Sequence, residues 1–437
     1  MHERLAVENY LLPLSMLGVL VGIISGLSMV AIYVIINSSV ATTITIALHN
    51  LGIPEQYCRA FPPLIAITIL ITFFSLLPKA MQSVGIIHIL DKLNNHKGDL
   101  PPQNALVQFF AIIIGLTGGL SIGKEGPEAH IGAAFGCKIA KMRHAPIQHR
   151  EVLIACGVAG AIAAAFHTPL AGVLFALEVI LLSFHTIIIL PLMLSSVAAM
   201  VVSKWLLGPI QLFRYDQELI FSLDTSNIIA LGLLALTASI LASIFLHIQK
   251  TLWSLELKIT LAWRFLFVGI ATSVCAIWIP ETLGVGYQTL ETLLTGGTLE
   301  HLIITVLIVK LLLTAFSIGL GIPGGVIGPL FVIGGLAGAQ VALWFFQSPS
   351  FELVSLFILL GMATMMSASL QAPLAGLIGV IELNSSSNII LPAMLVIGVS
   401  CVITRTLLKQ DSIFIEKLKS QGKNLPSYHE RHTRNKP

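Results

Sequence analysis

The chain has 437 residues, 56% of them hydrophobic and only 10% charged, with a formal net charge of +3 and a mean hydropathy of +0.92. Soluble domains carry about 25% charge, so a soluble globular protein is excluded, and no basic domain is present for nucleic acid to bind. The apolar length suffices for roughly ten or more membrane crossings at about 20 residues each.

In chain order, Met1–Asn9 is a short polar lead and Leu11–Ile36 the first membrane helix. That run is too long for a signal-peptide core and has no small-residue cleavage site. Asn37–Phe61 reads as a mixed connection, Pro62–Leu77 as an apolar helix, and Pro78–Asn104 as a short helix plus polar loop carrying SVGIIH at Ser83–His88. Ala105–Leu116 leads into GGLSIGKEGPEAHIG (Gly118–Gly132), and a basic loop follows at Lys138–His149. Val152–Leu182 reads as two helices split near His167–Pro169, followed by Ile187–Leu207.

Pro209–Asn227 is the longest soluble-looking segment and is expected to connect two halves, about 11–208 and 228–408. In the second half Ile228–Phe245 is apolar, and His247–Trp263 is amphipathic and expected at an interface. Phe265–Trp278 spans, and Pro280–Glu300 is a Gly/Thr-rich loop. Leu302–Phe316 leads into SIGLGIPGGVIGPLF (Ser317–Phe331); Val332–Phe346, Leu353–Met366, Pro373–Leu383 and Ile389–Leu408 complete the membrane part. The tail, 409–437, is polar. Its Lys409, Lys417, Lys419, Lys423, Arg431, Arg434 and Lys436 place the C-terminus in the cytoplasm by the positive-inside rule. Cys58, Cys137, Cys156, Cys275 and Cys401 have neither metal-ligand nor disulfide-framework spacing; no metal or cofactor is expected.

The stretch Gly118–Gly132 carries the chemistry. It lies between apolar runs yet holds Lys124, Glu125 and Glu128 and is broken by Gly123, Gly126 and Pro127. Charge at membrane depth costs about 2.5–3.5 kcal/mol per residue, so such groups face protein or a water-filled path. Broken backbone at that depth is tolerated only where it lines a cavity or is covered by protein. The helix expected to restart after Pro127 presents free N–H groups and a positive dipole end, which suits an anion. Glu128, Glu178 and Glu382 read as structural carboxylates, Lys310 and Arg405 as snorkelling or paired cations, and His88, His130 and His167 as hydrogen-bonded structural histidines. Of the three, His88 stands nearest the unusual SVGII sequence and could titrate near neutral pH.

The two halves resemble each other. GVAGAIAAAFHTPLAGVLFALEV (Gly157–Val179) matches GMATMMSASLQAPLAGLIGVIEL (Gly361–Leu383) at a spacing of 204 residues (361 − 157). Glu125–Pro127 pairs with Ile327–Pro329 and Gly132 with Gly334 at 202 (327 − 125). Broken helices at matched positions of two halves point to a transport site at the repeat interface.

GKEGP (Gly123–Pro127), GIPGGVIGP (Gly321–Pro329) and PLAGVLFALE (Pro169–Glu178) resemble motifs of the CLC family of chloride channels and proton-coupled chloride antiporters, over roughly Leu11–Leu418. The resemblance implies an all-α polytopic membrane protein, an inverted repeat of about 18 tilted or partial helices, in a homodimer with one pore per subunit and without CBS domains. It implies that the single membrane domain sits in the inner membrane of a prokaryotic cell and moves chloride or a similar small anion, with protons a further possible partner. Glu125 matches the gating glutamate. The N–H groups of Val326 and Ile327 match donors of the central anion site, and Gly85 and Ile86 match part of the first anion motif.

Five departures stand out. Val84 occupies the family's anion-coordinating serine, Ile87 its proline and His88 the acidic residue after it; Phe414 occupies the coordinating tyrosine. A lost hydroxyl donor to an anion costs about 1–3 kcal/mol, so the central site is expected to rely on backbone donors. Val179 occupies the internal proton-transfer glutamate of antiporters. Passive or weakly coupled movement is therefore expected; the alternative is a proton-coupled antiporter with a non-standard inner route. A reading of another class, an intramembrane hydrolase, lacks an HExxH sequence or paired Asp, and a non-transporting scaffold leaves the matched breaks unexplained. GxxxxGK at Gly118–Lys124 is not a nucleotide loop, because Glu125 stands where Ser or Thr would bind magnesium.

Overall fold

The computed structural model describes residues 2–38, 40–208, 224–256, 258–297, 302–384 and 387–423. In the first half the helices are α1 (His2–Ile36), α2 (Val40–Asn50), α3 (Glu55–Cys58), α4 (Phe61–Leu76), α5 (Gly85–Asn95), α6 (Pro102–Thr117), α7 (Glu125–Met142), α8 (Ile147–Phe166), α9 (Pro169–Phe175) and α10 (Thr186–Leu207). In the second they are α11 (Thr225–Glu256), α12 (Leu261–Trp278), α13 (Tyr287–Leu294), α14 (Ile303–Gly319), α15 (Ile327–Phe345), α16 (Phe351–Leu370), α17 (Pro373–Asn384), α18 (Ile390–Val402) and α19 (Ile413–Ser420). Among the described residues nine stretches are long and apolar enough to cross a membrane. The fold is all-α, and the isolated β-bridge described within it joins Gly123 to Gly325.

The repeat governs the packing. α7 lies on α8 as α15 lies on α16, and α1 lies on α10 as α11 lies on α18. Helices in a membrane gain little from the hydrophobic effect and pack through small residues that let backbones approach. A β-carbon on Gly132 would stand 2.3 Å from the Gly157 carbonyl oxygen, and one on Gly334 would stand 2.2 Å from that of Gly361. Only glycine fits either crossing.

The breaks fall where the sequence puts them. α8 ends at His167, whose φ of 58° is left-handed, and α9 starts at Pro169, where a missing N–H costs nothing. Pro127 and Pro329 sit in the first turns of α7 and α15, so α7 starts at Glu125 rather than after Pro127.

Glu178 and Glu382 bind across the repeats. Glu178 accepts the N–H groups of Leu374 (3.0 Å) and Ala375 (2.8 Å) in the first turn of α17. Glu382 accepts those of Leu170 (3.0 Å) and Ala171 (2.8 Å) in α9. Each is a charged cap for orphan donors of the other helix.

Several expectations are corrected. His247–Glu256 is the end of one continuous α11, not an interfacial helix; Trp253 is buried beneath the Lys417 ammonium, 5.1 Å from the ring centre. The connection at 37–61 contains α2 and α3, the loop at 280–300 contains α13, and the tail contains α19, with Ile413, Phe414, Lys417 and Leu418 buried. Among the described residues Lys310 neither snorkels nor pairs with a carboxylate. It is fully buried and donates to the carbonyls of Thr282 (2.9 Å) and Gly284 (2.6 Å). Arg405 is exposed. Most of the expected connection at 209–227, namely 209–223, and the tail from 424 lie outside the described residues.

Candidate functional site

Three helix N-termini meet beside the Gly123–Gly325 bridge. Gly123 N–H donates to Gly325 O (2.7 Å) and Gly325 N–H to Gly123 O (2.6 Å), which clamps the start of α7 to the start of α15. A β-carbon on Gly126 would stand 3.0 Å from Gly325 Cα and 4.0 Å from Ile86 Cδ1, so the start of α5 is there too. The first N–H groups of a helix have no partner within it and carry its positive dipole end. Three such ends at one place form a setting for negative charge.

Glu125 is the first residue of α7 and is fully buried. Its carboxylate does not stay on its own helix end. Oε2 accepts the N–H of Gly328, in the first turn of α15, at 3.2 Å, and Oε1 accepts the Tyr287 hydroxyl at 2.5 Å. The carboxylate thus lies on a donor of the opposite repeat. Among the described residues Lys124 forms no ion pair; its ammonium sits 5.1 Å from the Tyr33 ring centre, a cation–π contact. A Lys124–Glu125 salt bridge is therefore not the reason for the acid.

Val326 caps α15 and Ile327 is its first residue, both buried. Ile327 also walls a narrow apolar cavity with Phe166, Thr168, Phe175 and Phe331. Val84 is extended and half-buried before α5, and Gly85 follows with φ +82°, a left-handed conformation that glycine adopts freely. Asn104 on α6 holds this turn by donating to Ala80 O (2.9 Å) and Ser83 O (2.8 Å). Phe414 is buried in the first turn of α19, which packs on α5. Val84 faces the apolar cluster around α6, whereas Phe414 belongs to the larger cluster with Ile86, Val326 and Ile327.

Tyr287 escaped the sequence reading. Glu128 is fully buried, one turn beyond Glu125, and neither carboxyl oxygen has a hydrogen-bond partner among the described residues. Its expected structural role therefore has no bond to show for it. His88 Nδ1 and His130 Nε2 lie 2.9 Å apart, joining α5 to α7, and His167 Nε2 lies 3.2 Å from Ser203 Oγ. Val179 is buried in the π-helical turn Ala176–Leu181.

Residues 64–405 match the family model described as voltage gated chloride channel. The voltage-gated ClC-type chloride channel ClcB of Escherichia coli (strain K12 / DH10B) is 31% identical over 319 residues, 71% of this chain and 74% of that protein. A slow cyanobacterial Cl-/H+ antiporter superposes with a TM-score of 0.82 at 20% identity, covering 93% of this chain and 97% of its own. A CLC-type fluoride/proton antiporter gives 0.78 at 21%, covering 93% and 98%.

Proposed function

Since this chain belongs to the CLC family of voltage-gated chloride channels and transporters, we propose that it carries chloride, or a similar small anion, along a pathway gated by Glu125. It is an integral multi-pass membrane protein and not an enzyme, and the bacterial relatives support the inner membrane as its location. One observation carries the gate: the Glu125 carboxylate accepts the Gly328 N–H. A carboxylate seated on a helix end blocks the place an anion would take. Protonation of Glu125, or a high anion concentration, releases it. The anion then rests on N–H groups at Gly85–Ile86 and Val326–Ile327, with Val84 and Phe414 adding apolar wall rather than hydroxyl donors.

Movement is passive or weakly coupled, in keeping with the apolar Val179. The ClcB relatives are named channels, while two of the superposed structures are named antiporters. A second reading, proton coupling by a non-standard inner route, draws support from the His88–His130 contact between α5 and α7. The same proposal takes the chain as a homodimer with one pathway per subunit, which mass measurement of the detergent-solubilised protein tests.

The deciding experiment is chloride efflux from proteoliposomes with internal pH recorded together. Efflux without proton movement is expected, with the rate rising as external pH falls. E125Q should abolish that pH dependence. Identical flux and pH dependence in E125Q and the parent would sink the gate, and uphill proton movement would establish the second reading.

A further inference from the structure

Gln108, on α6, is 1% exposed, and neither its Nε2 nor its Oε1 has a hydrogen-bond partner among the described residues. A buried amide without a partner costs about 1–3 kcal/mol, so its retention at a buried position of α6 calls for a ligand. We propose that the Gln108 carboxamide is the side-chain donor to a monovalent inorganic anion at the N-terminus of α5; this rests on the anion pathway proposed above.

The geometry has two independent parts. α5 is an eleven-residue helix starting at Gly85, so its first N–H groups and positive dipole end lie near the place where α7 and α15 also begin, as the Ile86 contact at Gly126 shows. Gln108 reaches that place from the side. Asn104 and Gln108 stand one turn apart on a single face of α6. Asn104 holds the carbonyls of Ala80 and Ser83, just before Val84. One turn on, Gln108 Oε1 lies 3.9 Å from where a β-carbon on Gly85 would stand. The two ends of a carboxamide exchange by a half-turn of its last bond, which turns two N–H donors toward the helix start.

The chemistry fits an anion and not a cation. Val84 offers no hydroxyl, so the amide supplies the donor that this turn otherwise lacks. Lys124 is engaged over Tyr33. Donors without fixed charge hold a chloride-sized ion while letting it leave, as conduction requires. Losing one such donor penalises chloride more than thiocyanate, because the smaller ion is more strongly hydrated and needs more replacement of its water.

Calorimetric titration of the purified full chain with chloride and with thiocyanate tests this. Q108L should raise the chloride Kd roughly tenfold, the equivalent of one hydrogen bond to a charged group, and the thiocyanate Kd several-fold less. V84S in the Q108L background should recover part of the chloride affinity. A structural role would weaken both anions alike and would not be rescued by V84S; that result overturns the proposal. Should Q108L fail to give a monodisperse protein, Q108E keeps the shape and adds charge, and chloride binding equal to the parent would overturn it as well. E125Q separates the two levels. If E125Q tightens chloride binding while Q108L changes nothing, Gln108 alone is misassigned. If neither variant alters binding, the pathway reading itself fails.

Discussion

The two repeats begin their central helices with the same backbone and different chemistry. α7 opens Glu125-Gly126-Pro127 and α15 opens Ile327-Gly328-Pro329, and their leading glycines bond to each other. A matched pair of acids would bring two like charges together at one point. Because only α7 carries the acid, its carboxylate crosses to the Gly328 N–H of α15, and on the proposed reading the donor end of one repeat is the seat of the other's gate. Glu178 and Glu382 show the opposite case. They occur in both repeats, and each caps the other repeat's helix with the same pair of bonds. Residues shared by the repeats hold the fold, and the residue that breaks the symmetry is the one available for gating.

That contrast breaks most decisively at the symmetric acids. Each accepts two backbone N–H groups that would otherwise be orphaned at a helix start, so E178A and E382A should each cost about 2–3 kcal/mol. The two losses should be alike, and chloride flux per folded molecule should stay at the parent level. Thermal unfolding in detergent, paired with efflux, checks both. A variant that lost flux while keeping stability would undo the assignment of symmetric residues to structure.

The asymmetric side is sharpened by Tyr287. Its hydroxyl donates to Glu125 Oε1, and under the proposed gate this bond would steady the closed carboxylate. Y287F removes that bond while keeping the ring. The closed arrangement should lose about 1.4 kcal/mol, so flux should rise roughly tenfold, with the dependence on external pH retained because Glu125 is intact. Unchanged flux would mean that the tyrosine does not hold the gate.

Much of this was legible in the sequence, for a physical reason. Gly and Pro interrupt apolar runs only where the fold needs a break, so the starts of α9 at Pro169 and α17 at Pro373 could be read directly, while α7 and α15 begin a few residues before the positions read, at Glu125 and Ile327. The place of Glu125 at the break that opens α7 was legible, and it drew attention because an acid at such a break has no cheap structural explanation. Other features were hidden by length and distance. α13 has eight residues, too few for a period to declare itself within a polar loop, and Tyr287 meets an acid 162 positions away. α11 was split at His247 because His247, Gln249 and Lys250 look like a surface. In the fold Gln249 donates to Ala315 O at 3.2 Å, and Lys250 reaches Glu416 at 3.2 Å and Gln410 at 2.8 Å, so the helix runs on against α14 and the start of α19. Gln108 was passed over because an amide near the polar start of a helix is unremarkable until its missing partners are seen.

The smallest effect lies at the far end of α7, in a contact described only for the first repeat. Lys141 in its last turn pairs with Asp99 in the loop after α5. The hydrogen bond from Lys141 is the main reason that the Asp99 carboxyl sits below the usual carboxylate range. A lowered carboxyl value stabilises the fold above the unfolded value, about pH 4, and the contribution is lost as pH falls through the lowered one. Both side chains are substantially exposed, 41% and 57%, so solvent screening keeps the pair below about 1 kcal/mol. K141M should therefore lower stability by a few tenths of a kcal/mol at pH 7 and by nothing measurable near pH 2, with less effect in high salt. Unfolding at the two pH values reads this out. A loss as large at pH 2 as at pH 7 would show that Lys141 acts through its packed stem rather than its charge. Because this pair lies well away from the helix starts, chloride flux should not respond to K141M at either pH.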